Sequence, residues 1–238
     1  MRPYRFFDLI MAAFVAVVLI SNVASSAKIV DFGISLFGTC LAFDGGTLLF
    51  PLSYIFGDIL TEVYGYARSR RVIWAGFAAA LLMSACIALV QWMPGEEAWR
   101  GYAGDQAFGR ILGGVSSGGI VLASVLAYLL GEFSNSFILA KMKVWMEGHF
   151  LWMRTIGSTV VGEGVDTIVF ILLATLFGVF PWEIVGSLIL TNYLFKVGIE
   201  ILFTPVTYRV VSFLKTHEHE DHYDRTTDFN PFRLSSAA

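Results

Sequence analysis

Six long apolar runs organise the chain, at roughly residues 6–29, 47–66, 71–92, 115–140, 150–178 and 184–214, each of a length that predicts a membrane-crossing helix. The pattern therefore predicts an all-α membrane protein of six transmembrane helices. Between the first two runs, Val30 to Phe43 holds Asp31, Gly33 and Gly38 among short apolar segments, which predicts either an outer hairpin or a re-entrant loop. Between the third and fourth, Pro94 to Arg110 is the most polar connection before the tail. Residues 1–215 read as one transmembrane domain, and 216–238 as a polar, disordered cytoplasmic tail. Arg2 and Arg5 before an apolar stretch ending in Ala24-Ser25-Ser26-Ala27 imitate a signal peptide, but the stretch is long for one and more membrane sequence follows, so cleavage is not expected.

Charge adds the orientation. Arg2 and Arg5, then Arg68, Arg70 and Arg71, then Lys141 and Lys143, then Arg209 and Lys215 all fall on one side, which places both termini in the cytoplasm. Trp74, Trp145 and Trp152 lie at predicted inner ends and Trp92, Trp99 and Trp182 near outer ends, as interfacial anchors do. Composition agrees: the 238 residues are 56% hydrophobic, and no basic, aromatic-interleaved stretch points to nucleic acid, so the expected surroundings are membrane lipid. Cys40 and Cys86 are too far apart in character for a disulfide framework, one falling in a loop and one in an apolar run. His217, His219 and His222 lack the spacing of a metal site, so the tail reads as a solvated acidic segment and no metal or cofactor is expected.

The polar positions inside the runs carry the chemistry. Asp58 and Glu62 sit one turn apart in the second run, Glu132 and Asn135 in the fourth, and Glu163 and Asp166 in the fifth. Asn192, Lys196 and Glu200 are spaced by four in the sixth, while Ser21, Asn22, Ser25 and Ser26 occupy the outer half of the first. The third run, from Val72 to Val90, carries only Ser84 as a polar residue and reads as the lipid-facing or packing helix. Ionised acids at bilayer depth cost about 2.5–3.5 kcal/mol each on insertion scales. Six acids face one mid-membrane lysine, and that imbalance suits a cavity for a ligand rich in hydrogen-bond donors or carrying a cation. The alternative for any one residue is a structural ion pair that only fixes packing. Ser21-Asn22 followed by Ala27-Lys28 recurs as Ser134-Asn135 followed by Ala140-Lys141, which suggests a 3+3 inverted repeat. No GxxxxGK[ST] occurs, so the chain is not itself an ATPase. No nucleophile and base pair, HExxH or membrane GxSxG stands out, which leaves an intramembrane enzyme using paired carboxylates as the weaker reading.

The run PLSYIFGDILTEVYGY (Pro51 to Tyr66), with RTIGSTVVGEGVDT (Arg154 to Thr167) and KVGIEILFTPVTYRVV (Lys196 to Val211), resembles the bacterial queuosine-precursor transporter family, also classed with vitamin-uptake transporters. SNVASSAK and GEFSNSFILAKMK fit the same pattern, and the resemblance covers nearly all of Phe6 to Lys215. It implies an inner-membrane, non-enzymatic importer of 7-deazaguanines such as preQ0, preQ1 or queuine for tRNA salvage, with a homodimer as one expected assembly. Glu163 stands where the family is expected to favour Gln. The expected binding residues are Asn22, Asp58, Glu62, Glu132, Asn135, Glu163, Asp166, Lys196 and Glu200, with Asn22, Asn135 or Lys196 donating to the oxo group of the base. Tyr54, Phe56 or Tyr193 could stack on the ring. A second transport reading is a membrane subunit that binds a vitamin or nucleobase and borrows a separate ATPase.

Overall fold

Where the surroundings are lipid, a backbone must satisfy its own hydrogen bonds, and the long apolar runs do so as helices. The computed structural model describes residues 4–36 and 39–233. In chain order these form α1 (Phe7–Ala27), a hairpin of β1 (Ile29–Leu36) and β2 (Thr39–Asp44), a short 3-10 turn, α2 (Phe50–Tyr64), α3 (Tyr66–Trp92), α4 (Glu97–Tyr102), α5 (Gly104–Ser116), α6 (Gly118–Trp145), α7 (Leu151–Leu176) and α8 (Val185–Glu218). Five stretches among the described residues are long and apolar enough to cross a membrane: Phe7–Ala27, Tyr66–Trp92, Gly104–Trp145, Leu151–Leu176 and Trp182–Glu218.

The connection between the first two runs resolves as an antiparallel hairpin, Ile29 opposite Asp44 and Leu36 opposite Thr39. Helix α2 differs most from expectation. At 15 residues it is about 22 Å long, short of the ~30 Å hydrocarbon core, and most of it is buried on all sides. Pro51 does not break it. The proline sits in the first turn, where its missing N–H costs nothing, so it starts the helix instead. Gly65, at φ +85°, ends α2 and lets α3 begin at once; a Cβ there would also meet the His222 ring at 2.2 Å. Arg68, Arg70 and Arg71, expected in a loop, therefore lie in the first turns of α3. The amino-terminal part of α3 is buried through Val72, Ile73 and Ala80, and its carboxy-terminal part presents apolar residues such as Leu82 and Leu89 to the surroundings.

Around α2 the core joins Phe14 and Val18 of α1, Ile59 and Val63 of α2, Tyr128 of α6 and Leu214 of α8. Helices α6 and α7 approach closely at glycine: a Cβ on Gly131 would lie 3.1 Å from the Gly162 carbonyl, and a Cβ on Gly162 the same distance from the Gly131 carbonyl. At one end of the bundle, α5 covers the ends of α1 and α3. The Ser26 hydroxyl donates to Ile111 O (2.7 Å) and accepts from Gly114 N–H (3.0 Å), and Ser116 donates to Gln91. At the other end residues 4–6 meet the end of α8, with Tyr4 Oη donating to Glu220 (2.6 Å) and the Arg5 and Phe6 N–H groups to Glu218 (2.9 and 2.7 Å).

The tail departs from the expected disorder through residue 233. Asp224 accepts the Tyr66 N–H (3.0 Å), Arg70 donates to the carbonyls of Asp228 and Asn230 (2.9 and 2.6 Å), and Trp74 donates to Pro231 O (2.8 Å). The tail's acids and carbonyls serve as acceptors for donors at the helix ends. Cys86 is free and exposed, and the Cys40 side chain lies outside the described residues.

Candidate functional site

Helix α7 buries Arg154, Thr155, Ser158, Thr159, Gly162, Glu163, Asp166 and Thr167, pairs of positions repeating every four residues. That spacing keeps them on one side of a helix, so the face α7 turns inward is polar along several turns. Helices α2, α6 and α8 turn acids toward it. Two clusters result.

The central cluster gathers Asp58, Glu132, Asn135, Glu163, Asp166, Lys196 and Glu200, all buried. Lys196 Nζ lies between Asp166 (2.6 Å) and Glu163 (3.0 Å) and 4.8 Å from the centre of the Phe50 ring. Asn135 Nδ2 donates to Asp58 Oδ1 at 2.8 Å. Tyr54 enters beside them, its hydroxyl donating to Gly162 O at 3.4 Å. Glu132 comes from α6 to face Glu163, Asp166 and Glu200, and Glu200 from α8 faces Asp58 and Glu163. Small residues make the room: a Cβ on Gly57 would lie 2.9 Å from Glu132 Oε2, and one on Gly131 would lie 2.7 Å from Asp166 Cβ. The cluster is rich in unsatisfied acceptors. Asp58 Oδ2, Asn135 Oδ1, Glu163 Oε1 and both carboxylate oxygens of Glu132 and Glu200 have no hydrogen-bond donor. Five carboxyl groups around one ammonium form a cage suited to a ligand with several N–H donors.

The second cluster lies toward the end where residues 4–6 meet the end of α8. Glu62 is fully buried and pairs with Arg154 Nη2 (2.9 Å), Lys215 Nζ (2.7 Å) and Lys143 Nζ (3.5 Å). Asp221 of the tail closes the group against Lys143 and Lys215, and Lys143 also donates to the His222 carbonyl at 2.8 Å. Burial pushes the Asp221 carboxyl up, but hydrogen bonds and positive charge from the two lysines outweigh it and hold it below the usual range. Asp224 is likewise held low: burial opposes, and hydrogen bonds from His222, Thr227 and the Tyr66 N–H prevail.

Of the nine residues expected from sequence, seven meet in the central cluster. Glu62, one turn from Asp58, belongs to the second. Asn22 is engaged elsewhere, its amide donating to Val18 O (2.8 Å) and its oxygen accepting from Ser124 (3.1 Å), where it ties α1 to α6. Sequence reasoning missed Lys143, Arg154 and Lys215, two of which it had assigned to cytoplasmic ends for their charge. A signal was present for Lys143. Glu132, Asn135, Ser136, Leu139, Ala140 and Lys143 continue one helical face through what read as a loop.

The family described as "Putative vitamin uptake transporter" matches residues 44–210. The chain belongs to this family. The match takes in α2, α3, α6 and α7 and most of α8, with every member of the central cluster, and leaves out Asn22, Lys215 and Asp221. Among curated proteins the chain is similar to the "Probable queuosine precursor transporter" of Bacillus subtilis (strain 168), 23% identical over 175 residues covering 73% of each chain. It is also similar to the "Queuosine precursor transporter" of Escherichia coli (strain K12), 26% identical over 191 residues, 79% of this chain and 80% of that one. A third relative is the "Probable queuosine precursor transporter" of Haemophilus influenzae (strain ATCC 51907 / DSM 11121 / KW20 / Rd), 26% identical over 171 residues, 70% of this chain and 67% of that one. No solved structure is significantly similar to it. Membership of a transporter family and several apolar helices make this a multi-pass membrane transport protein.

Proposed function

We propose that this protein imports a queuosine precursor, a 7-deazaguanine such as preQ0, preQ1 or queuine, across the bacterial inner membrane for tRNA salvage. The observation that carries the reading is the central cage, in which buried carboxylate oxygens outnumber the donors they meet. A guanine-like edge presents a ring N–H beside an exocyclic amine, and one carboxylate accepts both in parallel. Asp58 and Asp166 are the acceptors assigned to that edge, because each already holds one donor that orients it. Tyr54 supplies a ring beside the cage for stacking. The names of the relatives support the substrate class.

In this reading the chain crosses six times with both termini inside. The hydrogen bond between Tyr4 and Glu220 supports an even number of passages, and this reading takes α2 with its preceding turn as the sixth. Inner placement of the termini follows the Lys and Arg bias. The inverted repeat belongs to the same proposal and pairs α1–α3 with α6–α8.

The test is uptake of labelled preQ0, preQ1 and queuine by cells that cannot make queuosine, with and without this protein. Uptake of at least one above the empty-vector level is expected; none above it removes the reading. Copurification of an ATPase with the active protein would instead favour a borrowed motor.

A further inference from the structure

We propose that Glu132 and Glu200 carry the protons that enter with the ligand, which makes this protein a proton-coupled importer. The inference rests on the central cage being the ligand site and starts from the buried carboxyl groups there that neither a donor nor a cation meets. A 7-deazaguanine has an oxo oxygen to satisfy as well as N–H groups to place. Each donor expected for that oxygen already serves another acceptor: Lys196 Nζ lies against Asp166 and Glu163, the Asn135 amide donates to Asp58 and the Asn22 amide to Val18 O.

Glu132 and Glu200 are the cage members with nothing committed to them. Their side chains come from residues 0% and 1% exposed, and none of their four carboxylate oxygens has a hydrogen-bond partner. The groups around Glu132 are Asp58 and Tyr54 from α2, Glu163 and Asp166 from α7 and Glu200 from α8, with the Ser53 hydroxyl nearby but bonded to Phe50 O. Glu200 faces Asp58 and Glu163. Lys196, the ammonium of the cage, is held by Asp166 and Glu163. A buried carboxylate with neither cation nor donor takes up a proton rather than remain charged.

A neutral carboxyl group is a donor, so a proton on Glu132 or Glu200 supplies one for the oxo group. Ionised Asp58 and Asp166 accept the N–H edge at the same time. Proton and ligand thus complete one site together. Each glutamate gains its proton from the outer side, and releases it inside when the ligand leaves.

The first arm of the test needs no transport. Infrared spectra of the purified protein in lipid should show C=O stretch bands of buried protonated carboxyl groups at neutral pH, one lost in Glu132→Gln and one in Glu200→Gln. Spectra unchanged by both substitutions overturn the proposal. In the second arm, proteoliposomes with an imposed inward proton gradient and no sodium should accumulate preQ1, and residual uptake in either Gln variant should no longer respond to the gradient. Accumulation driven by a sodium gradient at equal pH, or a gradient response intact in both variants, overturns it. Absence of any 7-deazaguanine uptake while the bands are present and lost as expected refutes the substrate reading and leaves the proton assignment supported.

Discussion

At Gly131 a missing methyl group sets the distance between two helices. A Cβ there would lie 2.3 Å from the Tyr54 hydroxyl and 2.7 Å from Asp166 Cβ, with the Gly162 carbonyl at 3.1 Å. The obstacle includes backbone, which cannot rotate away. Gly131→Ala is therefore expected to push α6 from α7 and lower stability by about 1–3 kcal/mol, the usual cost of overpacking, read as a lower unfolding temperature in detergent. Glu62 makes a different demand. It is fully buried against Arg154, Lys215 and Lys143, and Glu62→Gln would leave their charge without its buried partner. A loss of about 3–5 kcal/mol is expected in the same measurement. An unchanged unfolding temperature would show that these cations are hydrated and that the cluster is open to water.

Among the elements, the docked tail invites the sharpest test. Its hold on the helix ends runs through Asp221 on Lys143 and Lys215, Asp224 on the Tyr66 N–H, and Arg70 on two tail carbonyls. Both carboxyl groups are held below the ordinary value of 3.8, so the stabilisation they give is full above that value and is lost as pH falls through their lower folded values. Protease cleavage between residues 221 and 231 should therefore stay slow from neutral pH down to the ordinary aspartate range. Cleavage at neutral pH should become fast in Arg70→Ala. None of this docking was legible in the sequence, because a segment with few apolar residues reads as disordered when its value lies in acceptors offered to distant donors. The burial of helix α2 was hidden for a related reason: hydropathy shows that a run avoids water, but not whether lipid or other helices surround it.

For the whole molecule, helix positions were legible because lipid permits few other structures to a long apolar run. Seven of the nine expected binding residues meet because charge at depth is rarely retained without partners, which made Asp58, Glu132, Asp166 and their neighbours conspicuous one by one. Their division into two clusters was not visible. That division depends on which turn of α2 faces which neighbour, and Asp58 and Glu62 differ by a single turn. The account's central claim is that the cage around Asp58 and Asp166 holds a 7-deazaguanine. Equilibrium binding of labelled preQ1, preQ0 and queuine to the purified protein tests it most directly, with Asp58→Asn and Asp166→Asn beside the wild type. At least one base should bind saturably, and each substitution should weaken it by about tenfold or more, as loss of a charged hydrogen bond does, while the protein remains folded. Absence of saturable binding, or equal affinity in both variants and the wild type, would contradict the claim.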